Sequence, residues 1–275
     1  MKPPISHRKG IPFFCDKSER DFQADLYERY DDVVLRQVAL HLGDELWEHY
    51  PMQHILDFAN DFYPYDPHQH ILEIGCGVGR WIAHLAQRFP KTTCWGIDYS
   101  YQMLKQANSF WVAGKDITID LSNNGFPKTQ VVKGKEIKNL NFGLANAADL
   151  PFSSDSQDLI VNSFLLDRLE DPIQGLQEIF RVLKPGGRLI MVTPLNFKNA
   201  NLWDTLHPAN KIKDIAVEIG FSILKWQEDL QIIEPLDAHG NSISWKCLGV
   251  VVSKEMMLYK RIPLWIISMT LTRVN

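Results

Sequence analysis

Hydrophobic side chains near the start of the chain recur at the spacing of an amphipathic helix. Between residues 18 and 43 they follow one another at steps of three and four positions, which places them on one helical face. Ser18 can cap the start of this helix, and Gly43 can end it. A second, weaker helical pattern covers residues 45–60 and is interrupted by Pro51. The sequence therefore predicts two helices ahead of the first buried strand.

From His70 onward, short apolar runs alternate with amphipathic segments. The predicted strands cover residues 71–74, 92–97, 140–144, 159–164, 189–192, 222–233 and 244–253. The predicted helices cover residues 81–89, 101–113, 173–183 and 212–219. Such alternation is typical of βαβ units in a parallel sheet, and a hairpin joins the last two strands. We predict an α/β fold: a Rossmann-like, seven-stranded, mostly parallel sheet with one antiparallel strand and helices on both faces.

These patterns divide the chain into three parts. Residues 1–66 are predicted to form an N-terminal arm and helical cap, with the proline-rich residues 1–18 extended. Residues 67–254 are predicted to form the main domain. Within it, residues 114–138 break the rhythm and predict an inserted β-hairpin with an Asn-Asn-Gly turn. Residues 255–275 form a C-terminal tail, and the sequence assigns no role to the insertion or to the tail.

Composition excludes several classes of protein. The 275 residues carry 29 Lys and Arg against 33 Asp and Glu, a formal net charge of −4, so no nucleic-acid partner is expected. The four cysteines are widely spaced and no Cys-x-x-Cys occurs, so neither a disulfide framework nor a metal site is expected. No signal peptide is recognisable, and no apolar run approaches the roughly 20 residues of a membrane span. The expectation is a cytoplasmic protein without membrane insertion.

The strongest chemical signal follows the first predicted strand of the sheet. Residues 71–80 read Ile-Leu-Glu-Ile-Gly-Cys-Gly-Val-Gly-Arg, so that Glu73 precedes Gly75, Gly77 and Gly79. Glycines allow a tight turn and a close approach to a ligand. The dinucleotide fingerprint is Gly-x-Gly-x-x-Gly, and this spacing differs from it. A carboxylate at this position would repel a diphosphate, whereas it can pair with a cationic amino group.

A second acidic residue, Asp98, ends the next predicted strand about twenty residues further on, as in nucleotide-binding folds. A carboxylate there can accept hydrogen bonds from both hydroxyls of a ribose. Tyr99 follows and can cover a flat base. Glycine turns and aspartates at strand ends are each common without a ligand. Together, in a βαβ context, they favour a nucleoside that carries a cationic amino-acid group.

The chain here resembles the class I S-adenosylmethionine-dependent methyltransferases over residues 30–254. Five ordered segments carry the resemblance: residues 72–79 (Leu-Glu-Ile-Gly-Cys-Gly-Val-Gly), 96–104, 145–152 (Ala-Asn-Ala-Ala-Asp-Leu-Pro-Phe), 158–172 and 180–189. In detail the chain is similar to the branch that includes ubiquinone/menaquinone C-methyltransferases and many small-molecule methyltransferases. The resemblance implies S-adenosyl-L-methionine as cofactor, a small-molecule acceptor and in-line displacement of the methyl group.

The resemblance also implies cofactor-binding roles for matching residues. One set would surround the methionine part of the cofactor: Glu73, Gly75, Cys76, Gly77 and Gly79. Asp98 would bind the ribose, and Tyr99 would pack on the adenine. Asn146, followed by Ala147, stands where the family usually has an aspartate, and its amide oxygen can accept the same hydrogen bond from adenine.

Further residues are implied at the reacting end of the site. Asn162 and Ser163 would lie beside the sulfonium and the acceptor. The family often has two histidines a little further along the chain, and Asp167 and Arg168 stand there instead. A mechanism that needs a histidine at that point is therefore not expected.

The N-terminal helices admit two interpretations. Their aromatic residues either cover the sheet and fill the core, or form a lid in which Tyr27 or Tyr30 touches cofactor or acceptor. If the acceptor requires a general base, Asp167 is the first candidate, followed by His41 or Tyr30. Asp167 and Tyr30 are the catalytic residues that we predict.

Two other functions compete with methyl transfer. One is a module that binds S-adenosylmethionine without catalysis, since Asn146 and Asp167 depart from the family pattern. The other is an NAD-binding enzyme, which the glycine spacing and the early acidic residue disfavour. The acceptor, the methylated atom and the formation of a homodimer stay open.

Overall fold

A nine-stranded sheet forms the centre of the computed structural model, which describes residues 1–63, 69–126, 129–197 and 199–255. The strands are β1 (Ser6–Arg8), β2 (Ile11–Phe13), β3 (His70–Ile74), β4 (Thr93–Asp98), β5 (Ile117–Ile119), β6 (Gln130–Val132), β7 (Leu140–Leu144), β8 (Gln157–Ser163), β9 (Leu183–Thr193), β10 (Phe221–Pro235) and β11 (Ser242–Lys254). Their order across the sheet is β1-β2-β7-β4-β3-β8-β9-β11-β10. β5 and β6 pair antiparallel as a separate two-stranded sheet within residues 114–138.

Seven of these strands form the predicted sheet. β7, β4, β3, β8 and β9 are parallel to one another, and β11 runs antiparallel between β9 and β10. The predicted number of strands is too low because the N-terminal arm adds β1 and β2. Phe13 pairs in parallel with Leu144 of β7, and Ile11 is buried. The arm thus covers an edge of the sheet that would otherwise leave backbone groups unpaired.

The helices are α1 (Glu19–Ala24), α2 (Leu26–Arg29), α3 (Asp31–Leu42), α4 (Gln53–Ala59), α5 (Arg80–Arg88), α6 (Tyr101–Ala107), α7 (Pro172–Val182), α8 (Ala200–Leu206) and α9 (Asn210–Ile219). Ser18 caps α1 and Gly43 ends α3, as predicted. The prediction of one continuous helix between them is wrong. Asp25 and Tyr30 have extended backbone conformations and divide the segment into three helices.

Helices cover both faces of the sheet, which confirms the predicted α/β architecture. α3 to α6 pack on one face and α7 to α9 on the other. Residues from the N-terminal helices, such as Val34 and Val38, belong to the same hydrophobic cluster as Ile71 of β3. Within the described part of the chain, no helix has both the length and the apolar character needed to cross a membrane.

The predicted division of the chain stays a prediction. The boundary between residues 66 and 67 lies in residues 64–68, which are outside the described residues. The predicted tail, residues 255–275, also lies outside them apart from Glu255.

The Asn139 side chain, just ahead of β7, binds backbone oxygens at the end of α5 and ahead of β4. The amide nitrogen of Asn139 donates to the backbone oxygens of Ala86, Phe89 and Thr92 at 3.1, 3.1 and 2.9 Å. It thereby satisfies carbonyl groups at the end of α5 and on the approach to β4.

We expect Asn139→Ala to lower the free energy of unfolding by about 1–3 kcal/mol, because carbonyl groups at the end of α5 lose a hydrogen-bond donor. Urea denaturation followed by circular dichroism measures the change. The exposed Asn201 provides the control, and Asn201→Ala should change stability by less than about 0.5 kcal/mol. Equal effects of the two substitutions would contradict this role of Asn139.

Candidate functional site

The glycine-rich segment forms a tight turn between β3 and α5. Gly75, Gly77 and Gly79 have φ angles of +70°, +53° and +79°, a region that favours glycine. The backbone N–H groups of Gly75 and Cys76 both donate to the Ile97 oxygen of β4, at 2.8 and 2.9 Å. The turn is therefore pressed against the neighbouring strand, at the carboxyl edge of the sheet.

Glu73 lies beneath the first turn of α5. Its side chain is buried, with 3% of the residue exposed, and Oε2 accepts a hydrogen bond from the Ile82 N–H at 2.8 Å. Burial raises the pKa of this carboxyl well above its usual range. Glu73 thus satisfies one of the free N–H groups at the start of α5 and places an acidic group under the turn.

Asp98 joins the turn to the next strand. Its Oδ2 accepts from the Gly77 N–H and its Oδ1 from the Ser100 N–H, each at 2.8 Å. Burial raises the pKa of the carboxyl, while these two hydrogen bonds and the Lys17 ammonium act in the opposite direction. Each carboxylate oxygen can accept a second hydrogen bond, so Asp98 retains acceptor capacity.

Tyr99 and Asn146 lie at the same edge. The Tyr99 hydroxyl donates to Asp21 Oδ2 at 3.0 Å, and the side chain is half-buried. Asn146 follows β7, and its amide oxygen accepts from the Ala148 N–H at 2.9 Å. The Ala145 N–H donates to the backbone oxygen of Asp98 at 3.1 Å, which brings the end of β7 beside the end of β4. A bond from adenine would use the second lone pair of the Asn146 oxygen.

Ala147 and Cys76 are buried beside these groups, whereas Gly75 and Gly77 keep partial exposure. Burial raises the pKa of the Cys76 thiol well above its usual range, so the thiol stays protonated. Cys76 therefore contributes shape and not charge to the turn.

β8 brings Asn162 and Ser163 to this edge. Asn162 is 1% exposed, and among the described residues its amide oxygen has no hydrogen-bond partner. Ser163 is half-buried and ends the strand. Phe164 follows with a φ of +54°, an uncommon conformation for an aromatic residue. Backbone strain of this kind clusters at functional sites.

Asp167 is enclosed between β8 and β9. Its Oδ1 accepts from the Thr193 hydroxyl at 3.0 Å, and its Oδ2 lies 3.4 Å from Arg168 Nε. Burial raises the pKa of the carboxyl, and the Arg168 guanidinium opposes that shift. A carboxylate with a raised pKa is a better proton acceptor than an ordinary one.

The cap residues separate into two groups. Tyr30 is 44% exposed, and its hydroxyl accepts from Arg29 at 3.0 Å; no described contact connects it with Asp98 or Asp167. Tyr27 is half-buried, and burial together with the Asp98 carboxylate raises the pKa of its hydroxyl. Of the two tyrosines, Tyr27 is therefore the more enclosed, and its ring packs against the hydrophobic core.

Known methyltransferases resemble this chain in sequence. Residues 72–191 match a family model described as a methyltransferase domain. The ubiquinone/menaquinone biosynthesis C-methyltransferase UbiE of Geotalea daltonii is 28% identical over 165 residues, which cover 60% of this chain and 57% of that protein. The demethylmenaquinone methyltransferase of Lactococcus lactis is 30% identical over 152 residues, covering 55% and 48%. The chain thus spans about half the length of these curated relatives.

A solved structure agrees in fold. The S-adenosylmethionine-dependent methyltransferase of Aquifex aeolicus has a TM-score of 0.50 and 16% identity, over 82% of this chain and all of that one. Residues 72–191 therefore form a methyltransferase domain. The family resemblance predicted from the five sequence segments is confirmed.

Sequence reasoning missed a group of charged residues near the chain start, outside the matched methyltransferase domain. Lys17 Nζ lies 2.6 Å from Asp25 Oδ2 and donates to the backbone oxygen of Tyr99 at 3.0 Å. The one signal in the sequence is Asp25 itself, since an aspartate can cap a new helix by binding the N–H two residues on.

His41, a candidate general base, has its Nδ1 2.9 Å from the Tyr50 hydroxyl, and burial lowers its pKa to about 4. It is therefore neutral near pH 7.

The turn itself gives a stability test. A Cβ at Gly79 would lie 2.6 Å from the Phe142 ring, whereas a Cβ at Gly240 would meet nothing within 4 Å. Both glycines have positive φ, so they share the backbone strain of an alanine substitution. We expect Gly79→Ala to destabilise the domain by about 1–3 kcal/mol more than Gly240→Ala. Thermal and urea unfolding measure the difference; equal losses would show that the turn is not tightly packed.

Glu73 gives a pH test. Because its folded pKa is raised, the folded protein binds more protons than the unfolded chain between the unfolded and folded pKa values. Its contribution to stability is therefore lost as pH rises through that window. Glu73→Gln keeps an acceptor for the Ile82 N–H and removes this loss. We expect the unfolding free energy of the variant to fall less between pH 4 and 8.

Urea unfolding across that pH range measures the difference. The control is Glu218→Gln, at an exposed position of α9. Parallel stability curves for Glu73→Gln and the wild type would contradict the cost assigned to the buried Glu73.

Proposed function

We propose that this protein transfers the methyl group of S-adenosyl-L-methionine to a small-molecule acceptor. One observation carries the proposal: the Asp98 carboxylate holds the positive-φ glycine turn at the carboxyl edge of the parallel sheet, with buried Glu73 beneath it. In open α/β sheets, ligands bind at this edge. Two carboxyl groups beside the turn suit a cationic nucleoside and disfavour the diphosphate of NAD.

The cofactor fits the residues that surround the turn. Asp98 has spare acceptor capacity for ribose hydroxyls, and Tyr99 provides an aromatic ring at the same corner. A Cβ at Gly75 would lie 2.9 Å from Leu165 and one at Gly77 3.3 Å from Met103, so these glycines let neighbouring side chains pack closely on the turn. Asn146 keeps a lone pair for the adenine amino group.

When bound, the cofactor supplies an electrophilic methyl carbon and leaves as a neutral thioether. The protein then needs mainly to align the acceptor, with the reacting atoms about 3–3.5 Å apart. Such positioning is worth about 7–11 kcal/mol of the barrier. Asn162, Ser163 and Asp167 are proposed to form the acceptor side, and Asp167 to take the proton of a nucleophile that must lose one. Tyr30 stays a prediction that no described contact supports.

The acceptor is proposed only as a small molecule. One curated relative is named a trans-aconitate 2-methyltransferase and others are named for ubiquinone and menaquinone biosynthesis, so the relatives differ in acceptor. A net charge of −4 supports the absence of a nucleic-acid partner. A homodimer and a cytoplasmic location stay predictions of the sequence.

Asp98→Ala tests the proposed ribose contact. We expect it to weaken binding of S-adenosylhomocysteine by about 1.5–3 kcal/mol, the strength of hydrogen bonds to a charged group. Isothermal titration calorimetry measures this, with Asp98→Asn as a milder second variant and exposed Asp120→Ala as the control. Unchanged affinity in a folded Asp98→Ala protein would place the ribose elsewhere.

Incubation with methyl-labelled S-adenosylmethionine and a panel of metabolites tests turnover. We expect transfer of label to at least one acceptor with equal release of S-adenosylhomocysteine. Binding without turnover on any acceptor would favour a non-catalytic module. Binding of NAD in place of S-adenosylmethionine would reject the proposal.

A further inference from the structure

We propose that Tyr27 contacts the bound cofactor beside Asp98, and that the Lys17–Asp25 ion pair positions it there. This inference rests on the proposed function and adds one contacting residue and two positioning residues to the site. All three lie in residues 17–28, a segment that we call the N-terminal clamp.

Lys17 is the centre of the N-terminal clamp. Its side chain is 11% exposed, and its ammonium lies 2.6 Å from Asp25 Oδ2 and 3.4 Å from Glu28 Oε1. It also donates to the backbone oxygen of Tyr99 at 3.0 Å and lies 4.7 Å from the centre of the Tyr99 ring. One largely buried cation thus connects the clamp with the residue that follows Asp98. A cation so enclosed requires these partners, because it has lost most of its hydration.

Asp25 connects Lys17 with Tyr27 through its two carboxylate oxygens. One of its carboxylate oxygens bonds to Lys17, and the other accepts from the Tyr27 N–H at 2.9 Å. That second bond caps α2, which is only four residues long. So short a helix is not stable by itself, and its position depends on the contacts at its ends. The ion pair therefore determines where the Tyr27 backbone lies.

Two further bonds hold the clamp against the corner between β4 and α6. The Tyr99 hydroxyl donates to Asp21 at 3.0 Å, and the Tyr101 N–H donates to Glu28 Oε1 at 2.6 Å. Tyr99 and Tyr101 flank Ser100, whose N–H donates to Asp98. The clamp is thus anchored on both sides of Ser100, the residue whose N–H binds the Asp98 carboxylate.

The surroundings of Tyr27 are those of a site residue. Its ring is half-buried against the hydrophobic core. Charged groups from separate elements act on its hydroxyl: Asp98 at the end of β4, Arg168 after β8 and Glu234 in β10. Burial and the Asp98 carboxylate raise its pKa, so the hydroxyl remains a neutral donor. An aromatic ring here can also attract a sulfonium.

Calorimetric titration with S-adenosylhomocysteine tests the contact itself. We expect Tyr27→Ala to raise Kd at least tenfold, and Phe22→Ala, an exposed aromatic residue of the same clamp, to change it less than twofold. Tyr27→Phe separates the hydroxyl from the ring. A tenfold loss in Tyr30→Ala with none in Tyr27→Ala would overturn the inference in favour of Tyr30.

A second set of variants tests the positioning. We expect Lys17→Met to raise Kd about tenfold and Lys17→Arg less than threefold, while Lys133→Met, which removes an exposed ion pair with Asp116, has no effect. The loss in Lys17→Met/Asp25→Asn should equal that in Lys17→Met alone, because both act through one contact. Additive losses would overturn the positioning role.

Hydrogen exchange supplies a readout that a general loss of stability would not give. Lys17→Met should speed exchange in residues 17–28 while β3 and β4 remain protected. If Lys17→Met does not fold, Asp25→Asn and Tyr27→Ala decide the question by the same titrations. Failure of the wild type to bind S-adenosylhomocysteine would reject the proposed function. Wild-type binding that Tyr27→Ala and Lys17→Met or Asp25→Asn leave unchanged would reject only this inference.

Discussion

The two hydrogen bonds that the Asp98 carboxylate accepts from Gly77 and Ser100 connect the parts of the candidate site. One bond holds the glycine turn after β3, and the other holds the start of α6 after β4. Within the turn, the Gly77 N–H binds this carboxylate, whereas the Gly75 and Cys76 N–H groups bind the Ile97 oxygen. The same oxygens keep lone pairs for a ligand. A single carboxyl group therefore supports the local fold and the proposed ribose contact.

We attribute the proposed ligand preference of the site to its acidic groups. Glu73, Asp98 and Asp167 are buried or half-buried, and burial raises the pKa of each. Enclosed carboxyl groups cost stability when they are ionised, and a cationic ligand compensates for part of that cost. A diphosphate would instead add negative charge to the same place. This electrostatic preference is why the proposed ligand is a sulfonium nucleoside and not a dinucleotide.

Much of the fold could be predicted from periodicity alone. Parallel strands such as β3 and β8 are buried on both faces and therefore give short apolar runs in the sequence. The positive-φ turn requires glycines, and their spacing can be read directly from the sequence. Five sequence segments also predicted the resemblance to methyltransferases, which the sequence comparisons confirm. Strands of three residues, such as β1 and β2, are too short to produce a pattern, and the sheet edge that they cover cannot be seen in the sequence.

The cap was less predictable because its conformation depends on distant partners. A helical pattern continues through Asp25, yet the chain bends there, since Asp25 binds Lys17 and caps α2. The bend leaves Tyr27 half-buried against the hydrophobic core while Tyr30 is exposed. Spacing along one continuous helix could not distinguish these two tyrosines, because the interactions that separate them join residues far apart in the chain.

The most direct test of this account is a crystal structure of the protein with S-adenosylhomocysteine. The account predicts the amino-acid part of the ligand against the turn at Gly75 and Gly77. It also predicts ribose hydroxyls within about 2.5–3.0 Å of the Asp98 oxygens. A ligand bound away from Asp98, or a turn whose open side is filled by protein side chains, would contradict it.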